Sequence, residues 1–395
     1  MEHKRYLLWL SLLCSLTLLP AVMLNVLLIL NEGDVKAMSF AASEWQERTH
    51  GVTYTPTMGN NALFKRLRLN DRLPEVDTVI MGSSTGMPID QSMLPAGWHL
   101  YNLTMSGSPL SSSIAQAEYL VEHAPSIKHY IIALDWALDS VYQPSDIPAF
   151  DLSRPNRAAL PDTPRPKVMD TLLEATSYLR MQKLWKVLTY IAHSTAPEKT
   201  VREYFFQMGS DEYTCPDGIT LGKDFGIHNR GSCNGFRYDG SATYSDYTRA
   251  ENPGQLIFSA LSSGSKYARA LAHTQGAIDP GLFARLDALS QRIARNGGVL
   301  ILHMPPLLPG LEKAFTARTP YSEYLARTKN EVRAWAAGKP VVLADFGQSE
   351  KYGCTYGEFL DEHHATSSCY HKVFANFWGS ARLPDGRSLA TPDRH

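Results

Sequence analysis

The longest uninterrupted apolar pattern in the chain comes first. From Tyr6 to Leu30 there are 25 consecutive residues without a charge. As a helix this run is about 37 Å long, more than the roughly 30 Å of a bilayer's hydrocarbon core. His3, Lys4 and Arg5 precede it, and Glu32 and Asp34 follow. That asymmetry keeps the N-terminus in the cytoplasm and exports the rest. A cleaved signal peptide would have an apolar region of about 7–15 residues and a nearby small-x-small site. The nearest such triplet, Ser39-Phe40-Ala41, lies well beyond the run. The pattern predicts an uncleaved anchor over residues 1–31, kinked at Pro20, then a membrane-proximal stalk over 32–70 with a short helix near Ala41–Arg48.

Beyond the stalk, short apolar runs alternate with amphipathic stretches. Val76–Met81, Trp98–Leu103, Lys128–Leu134, Gly298–Met304 and Pro340–Asp345 read as buried parallel strands, being brief, apolar on both faces and bounded by Pro, Gly or Asp. Helical spacing marks Ser112–His123, Pro280–Arg295, Tyr321–Ala337 and Tyr370–Ala381. Strand–helix alternation predicts an α/β domain over 71–395, a doubly wound parallel sheet of about five strands with helices on both faces.

About 160 residues separate the third and fourth strands, more than an α/β unit needs. They are read as an insertion over about 139–280. Its first part, Pro166–His193, has Leu, Met and Trp at helical spacing, as a core or partner-facing stripe. Its second part, Phe205–Tyr247, reads as a disulfide-tied loop region. The loop's aromatics, including Phe236, Tyr238 and Tyr244, suit either sugar stacking or a small local core.

Composition and charge narrow the picture. The chain is 44% hydrophobic and 19% charged, which excludes wholesale disorder and a multi-span membrane protein. Lys plus Arg number 38 against 39 Asp plus Glu, so no basic excess points to nucleic acid as a partner. Outside the anchor's Cys14, four cysteines remain: Cys215, Cys233, Cys354 and Cys369. An even number suits an oxidising compartment. Three pairings are open; the local one, Cys215–Cys233 with Cys354–Cys369, closes short loops worth about 3 kcal/mol each. A zinc site is the rival, with His363, His364 and His371 near Cys354 and Cys369. Neither pair has the tight spacing of a structural zinc site, so disulfides are expected and no metal or cofactor.

In an open parallel sheet, ligands bind beyond the carboxyl ends of the strands. The first strand ends in Met81-Gly82-Ser83-Ser84-Thr85-Gly86, a glycine-flanked turn bearing two hydroxyls. Asn102 and the turn Ser106-Gly107-Ser108-Pro109 follow the second strand, and Asp135-Trp136 follow the third. Past the fifth comes Phe359-Leu360-Asp361-Glu362-His363-His364. Asp361 and His364, three apart, can let a carboxylate orient an imidazole whose other nitrogen faces a hydroxyl. His363 is the alternative base. His303, ending the fourth strand, reads as a hydrogen-bonded buried residue.

This arrangement resembles the SGNH hydrolase superfamily, the GDSL-like esterases and acyltransferases. Gly82-Ser83-Ser84 matches the first block, Gly107 the oxyanion glycine, and Asp361-x-x-His364 the C-terminal block. The sequence departs from it in two places. Ser83 stands where many members have Asp, and Ala133-Leu134-Asp135-Trp136 replaces the Gly-x-Asn-Asp block. With Leu-Asp-Trp after the third strand and Met304-Pro305-Pro306-Leu307 after the fourth, the chain is similar to the membrane-anchored, extracytoplasmic branch. That branch contains the alginate O-acetyltransferases and the D-alanylation protein of teichoic-acid synthesis. The likeness covers roughly 75–135 and 285–380; the insertion matches nothing.

The resemblance implies Ser84 as nucleophile, His364 as base and Asp361 as orienter, with backbone N–H groups of Ser84 and Gly107 as the oxyanion hole. Ser83 and Asp135 are expected beside the site. It implies a cytoplasmic-membrane protein with its catalytic domain in the periplasm or extracytoplasmic space. There it would O-acetylate an envelope polysaccharide or exopolysaccharide through an acyl-serine intermediate. A membrane-bound O-acyltransferase would supply the acyl group. An esterase or deacetylase of the same fold, or a non-catalytic scaffold of a polysaccharide-modification complex, are the alternatives.

Overall fold

The computed structural model of the protein describes residues 2–54, 61–135, 168–193, 234–244, 252–262, 271–272, 274–318, 321–383, 386 and 388–389. Trp136, Cys215, Cys233 and most of the Phe205–Tyr247 loop therefore lie outside the described residues. The chain divides into two units. One takes residues 1–44, 55–64 and 153–230; the other takes 45–54, 65–152 and 231–395.

The second unit holds five strands: β2 (Thr78–Met81), β3 (Leu100–Asn102), β4 (His129–Ala133), β7 (Val299–Met304) and β8 (Val341–Asp345). They form one sheet in the order β3-β2-β4-β7-β8, every pair parallel. The chain is thus an α/β protein with a five-stranded parallel sheet. Counted along the sheet's own strands the order is 2-1-3-4-5, so the winding reverses between β2 and β4. The crevice at such a switch point is where open sheets bind ligands.

Alternation along the strands feeds two cores. Ile80, Ile131 and Ile301 face a core shared with α8 (Leu311–Arg318) and α10 (Ser367–Ser380), through Phe315, Tyr370 and Phe374. Val79, Tyr130, Ile132, Leu300 and Leu302 face the other, built with α3 (Leu110–His123) and α7 (Pro280–Arg295). Helix α7 starts as its sequence dictates, with Asp279 capping the Gly281 N–H and Pro280 in the first turn. Helix α9 (Ser322–Ala336) precedes β8. The sequence reading found all five strands and the helices α3, α7, α9 and α10, with boundaries within three residues, but not α8.

A second, three-stranded antiparallel sheet was not anticipated. It joins β1 (Thr53–Tyr54) to the hairpin β5 (Asn234–Phe236) and β6 (Ala242–Tyr244). Its turn lies against the edge strand β3, where the Asn102 N–H donates to Asp239 O at 2.7 Å. Phe236 is buried with Lys65 Nζ 4.0 Å from its ring centroid, and Tyr238 stacks on His50. Phe236 serves the local core, while Tyr238 is half-buried.

The expected short helix at Ala41–Arg48 is part of a longer one. Helix α1 runs from Glu2 to Thr49 and contains Pro20. Among the described residues, no helix is long and apolar enough to cross a membrane. The Tyr6–Leu30 run lies on α1, and the side chains at 7, 8, 10–15 and 17 fall outside the described residues. In the first unit, α4 (Val168–Ala175) and α5 (Tyr178–Ala192) supply the helices expected over Pro166–His193.

His303 corrects one expectation. It is fully buried, but neither ring nitrogen has a hydrogen-bond partner among the described residues. Its neighbours are aromatic: Phe346, Phe374 and Tyr370, with centroids 5.7, 6.1 and 6.4 Å away. Burial pushes its pKa down to about 3, against an ordinary value of 6.5. The unfolded chain therefore binds a proton near pH 6.5 that the folded chain refuses until about pH 3. Stability from this group is full above 6.5 and declines as pH falls toward 3, by up to about 1.4 kcal/mol per pH unit. His303→Leu is expected to flatten the loss of thermal midpoint between pH 7 and pH 5. Equal losses in both proteins would contradict a neutral buried imidazole.

Candidate active site

The turn after β2 bears the first side chain of interest. Gly82 has φ +151°, and a Cβ there would sit 2.7 Å from Ala133 Cβ, so the chain can pass β4 this closely only with glycine. The chain then enters a single 3₁₀ turn, Ser84–Gly86, with Ser83 as its cap. Ser83 turns inward, its Oγ accepting the Thr85 N–H at 3.4 Å. Ser84 is half-buried, with its Oγ 2.8 Å from His364 Nε2.

His364 arrives from the other end of the chain, on the loop between β8 and α10. Its Nδ1 is 2.6 Å from Asp361 Oδ2. The second carboxylate oxygen, Oδ1, accepts the backbone N–H groups of His363 and His364 at 2.9 and 2.8 Å. The loop is thus folded around its own aspartate. Burial pushes the Asp361 carboxyl up, but hydrogen bonds from His363 and His364 outweigh it and hold the group well below the usual carboxylate range. An ionised Asp361 can only accept, so the proton between it and His364 resides on Nδ1. In the neutral imidazole Nε2 then carries the lone pair, to which the Ser84 hydroxyl can donate. This is a hydroxyl–imidazole–carboxylate relay.

His363, the alternative base, takes a different post. Its Nδ1 lies 3.1 Å from Asp361 Oδ1 and 3.5 Å from Glu362 Oε1, and its ring sits 3.9 Å from that of His364. The hydrogen bond from His363, set against burial, holds Glu362 low as well. Asp361, His363 and His364 also form a cluster whose ligand atoms lie within 4.8 Å, as a metal site would need. Both nitrogens of His364 are already engaged, by Asp361 and by Ser84. Cys354 and Cys369 are joined in a disulfide, with Cα atoms 5.2 Å apart, which removes both thiols from any zinc set. That bond ties the start of the Asp361–His364 loop to α10.

Two residues that the sequence reading did not weigh hold the turn bearing Ser84. Thr85 Oγ1 donates to Asp135 Oδ1 at 2.8 Å, and Tyr370 Oη donates to the Thr85 carbonyl at 2.7 Å. Asp135, at the end of β4, therefore stands one residue from Ser84. Tyr370 belongs to α10, the helix that leads away from His364. One helix thereby fixes both the imidazole loop and the serine turn.

Gly107 lies in an exposed turn with φ +69°, and its N–H donates to no acceptor among the described residues. The segment before it is tied to the serine turn where the Met105 N–H donates to Gly82 O at 3.1 Å. Asn102 is a scaffold: its amide donates to Gly86 O and Ile89 O, while its Oδ1 accepts Thr104 N–H and Oγ1. Buried Lys65 donates to Asn102 O and Thr104 O. Burial pushes its pKa well below the usual lysine range.

No protein-family model matches the chain, and comparison with curated proteins and with solved structures finds no match.

Proposed function

We propose that the protein is a membrane-anchored, extracytoplasmic serine O-acyltransferase of SGNH type that acetylates an envelope polysaccharide or exopolysaccharide. The relay carries this reading: Ser84 Oγ 2.8 Å from His364 Nε2, and His364 Nδ1 2.6 Å from Asp361. A scaffold needs no such alignment. The site also sits at the sheet's switch point, between the turn after β2 and Asp135 after β4.

Ser84 Oγ attacks the carbonyl carbon of an acyl donor as His364 Nε2 takes its proton. Asp361 stabilises the resulting imidazolium. N–H groups of Ser84 and Gly107 receive the oxyanion, Gly107 having no competing acceptor among the described residues. The donor's leaving group departs with the proton from His364, leaving acyl-Ser84. A sugar hydroxyl then gives its proton to His364 and attacks the acyl carbon, and the sugar ester leaves as Ser84 is reprotonated.

The anchor belongs to the same proposal. Exposed apolar side chains, among them Tyr6, Trp9, Leu16, Leu19 and Met23, run along α1 and need cover that water does not give. An exported domain has no cytoplasmic acetyl-CoA, so a membrane-bound O-acyltransferase is the partner that delivers the donor. The test is partition. Full-length protein given an activated acetyl ester should form acetylated oligosaccharide when a sugar acceptor is present. Release of free acetate unaffected by sugar, with no acetylated product, would make the protein an esterase instead.

A further inference from the structure

Exposed apolar surface is not spread evenly over the chain. Among the described residues, every large apolar side chain counted as exposed lies on α1 or on α4–α5, save Phe258 and Tyr356. Helices α4 and α5 contribute Val168, Met169, Leu173, Tyr178 and Trp185, the last two 80% and 71% exposed. The insertion's helices thus carry the same uncovered character as the N-terminal apolar run.

The two are physically joined. Asn25 is fully buried, and its Nδ2 donates to Ala175 O, the last carbonyl of α4, at 2.9 Å. It also lies 3.5 Å from Met181 Sδ on α5. The turn of the hairpin grips α1 at that point, and Leu28, Ala175 and Leu184 are buried in the same unit. Asn25 is five residues before Leu30, where the apolar run ends. At 1.5 Å per residue the grip lies about 8 Å inside the outer end of the run. Amphipathic helices that lie in a membrane surface bury their apolar faces about 5–10 Å deep. The depths agree, and Trp and Tyr are the aromatics suited to that layer.

We propose that α4–α5 is a membrane-interface hairpin, seated in the outer leaflet beside α1 with Val168, Met169, Leu173, Tyr178 and Trp185 among the acyl chains. This rests on the anchor reading of Tyr6–Leu30 and extends it from one inserted element to two. The occupant of the exposed face is lipid. The consequence is a first unit held to the bilayer at two places rather than by one helix.

The test uses the full-length protein in vesicles of phosphatidylethanolamine and phosphatidylglycerol doped with a phospholipid bearing a photoactivatable diazirine on its acyl chain. After illumination, adducts are mapped by peptide mass spectrometry. Adducts are expected on peptides spanning 168–192 as well as on those spanning 6–30, and not on the α7 peptide 280–295. A Leu172→Gln, Leu173→Gln, Trp185→Gln variant should lose the hairpin adducts and keep those in α1. Adducts on α1 alone in the wild type would overturn the hairpin and leave the anchor standing. Adducts on neither would overturn both.

Discussion

Ser84→Ala is expected to lower acyl transfer by about 10⁴–10⁶-fold, the scale seen when the nucleophile of a hydroxyl–imidazole–carboxylate unit is removed. The turn should survive the change. Its shape is held by Gly82, by Thr85 on Asp135 and by Tyr370 on the Thr85 carbonyl, none of which uses the Ser84 hydroxyl. Stability should stay within about 0.5 kcal/mol of wild type. His364→Ala should be comparably severe, and the double variant little worse than either single one, because the members act as a unit. Ser83→Ala is the internal control. That hydroxyl faces Thr85 rather than His364, so its removal should have a minor effect. A dead Ser83→Ala beside an active Ser84→Ala would mean that the nucleophile is one residue earlier. Wild-type acetylation by Ser84→Ala with Ser83 intact would dispose of the mechanism.

Asp361→Asn tests the relay differently, since it preserves shape and changes the proton. The Asn carbonyl oxygen can still accept the N–H groups of His363 and His364 that Asp361 Oδ1 accepts now. Its amide, however, would donate toward His364 Nδ1, where the carboxylate accepts at 2.6 Å. The imidazole must then carry its proton on Nε2, facing Ser84 with a donor where a base is needed. A loss of about 10⁴-fold in kcat at neutral pH is expected, the consequence of the wrong tautomer. KM for a small activated ester should move little, because Asp361 touches no substrate in the proposed scheme. A loss under tenfold would show that Asp361 orients nothing that matters.

What the sequence made legible follows from which signals are local. The five core strands announce themselves because each is buried on both faces and bounded by residues that stop a strand, as Val299–Met304 is by Gly298 and Pro305. Helix α7 was readable to the residue from Asp279-Pro280 at its start. Ser84, Asp361 and His364 could be singled out because each follows a strand end, and a parallel sheet brings such ends to one rim. The rest depends on contacts between distant positions. Strands of two or three residues such as β1 and β5 carry no period, and their pairing joins residues some 180 apart. Thr85 and Tyr370 look ordinary in the sequence, and their role exists only because α10 reaches back across 285 positions to the serine turn. The same holds for Lys65, a lysine on an amphipathic helix that folding buries beneath Asn102 and Thr104. His303 misled for a related reason: a polar residue ending an apolar strand suggests a hydrogen bond, whereas its neighbours prove to be aromatic rings.

The central claim is that Ser84 carries the acyl group. Full-length protein should be mixed with an activated acetyl ester without a sugar acceptor, quenched in acid within the first turnovers, and digested for peptide mass spectrometry. The peptide containing Ser84 should gain the mass of one acetyl group, fragmentation should assign it to Ser84, and adding oligosaccharide before the quench should discharge it. An acetyl group found on another residue, or turnover with Ser84 never acylated, would contradict the account.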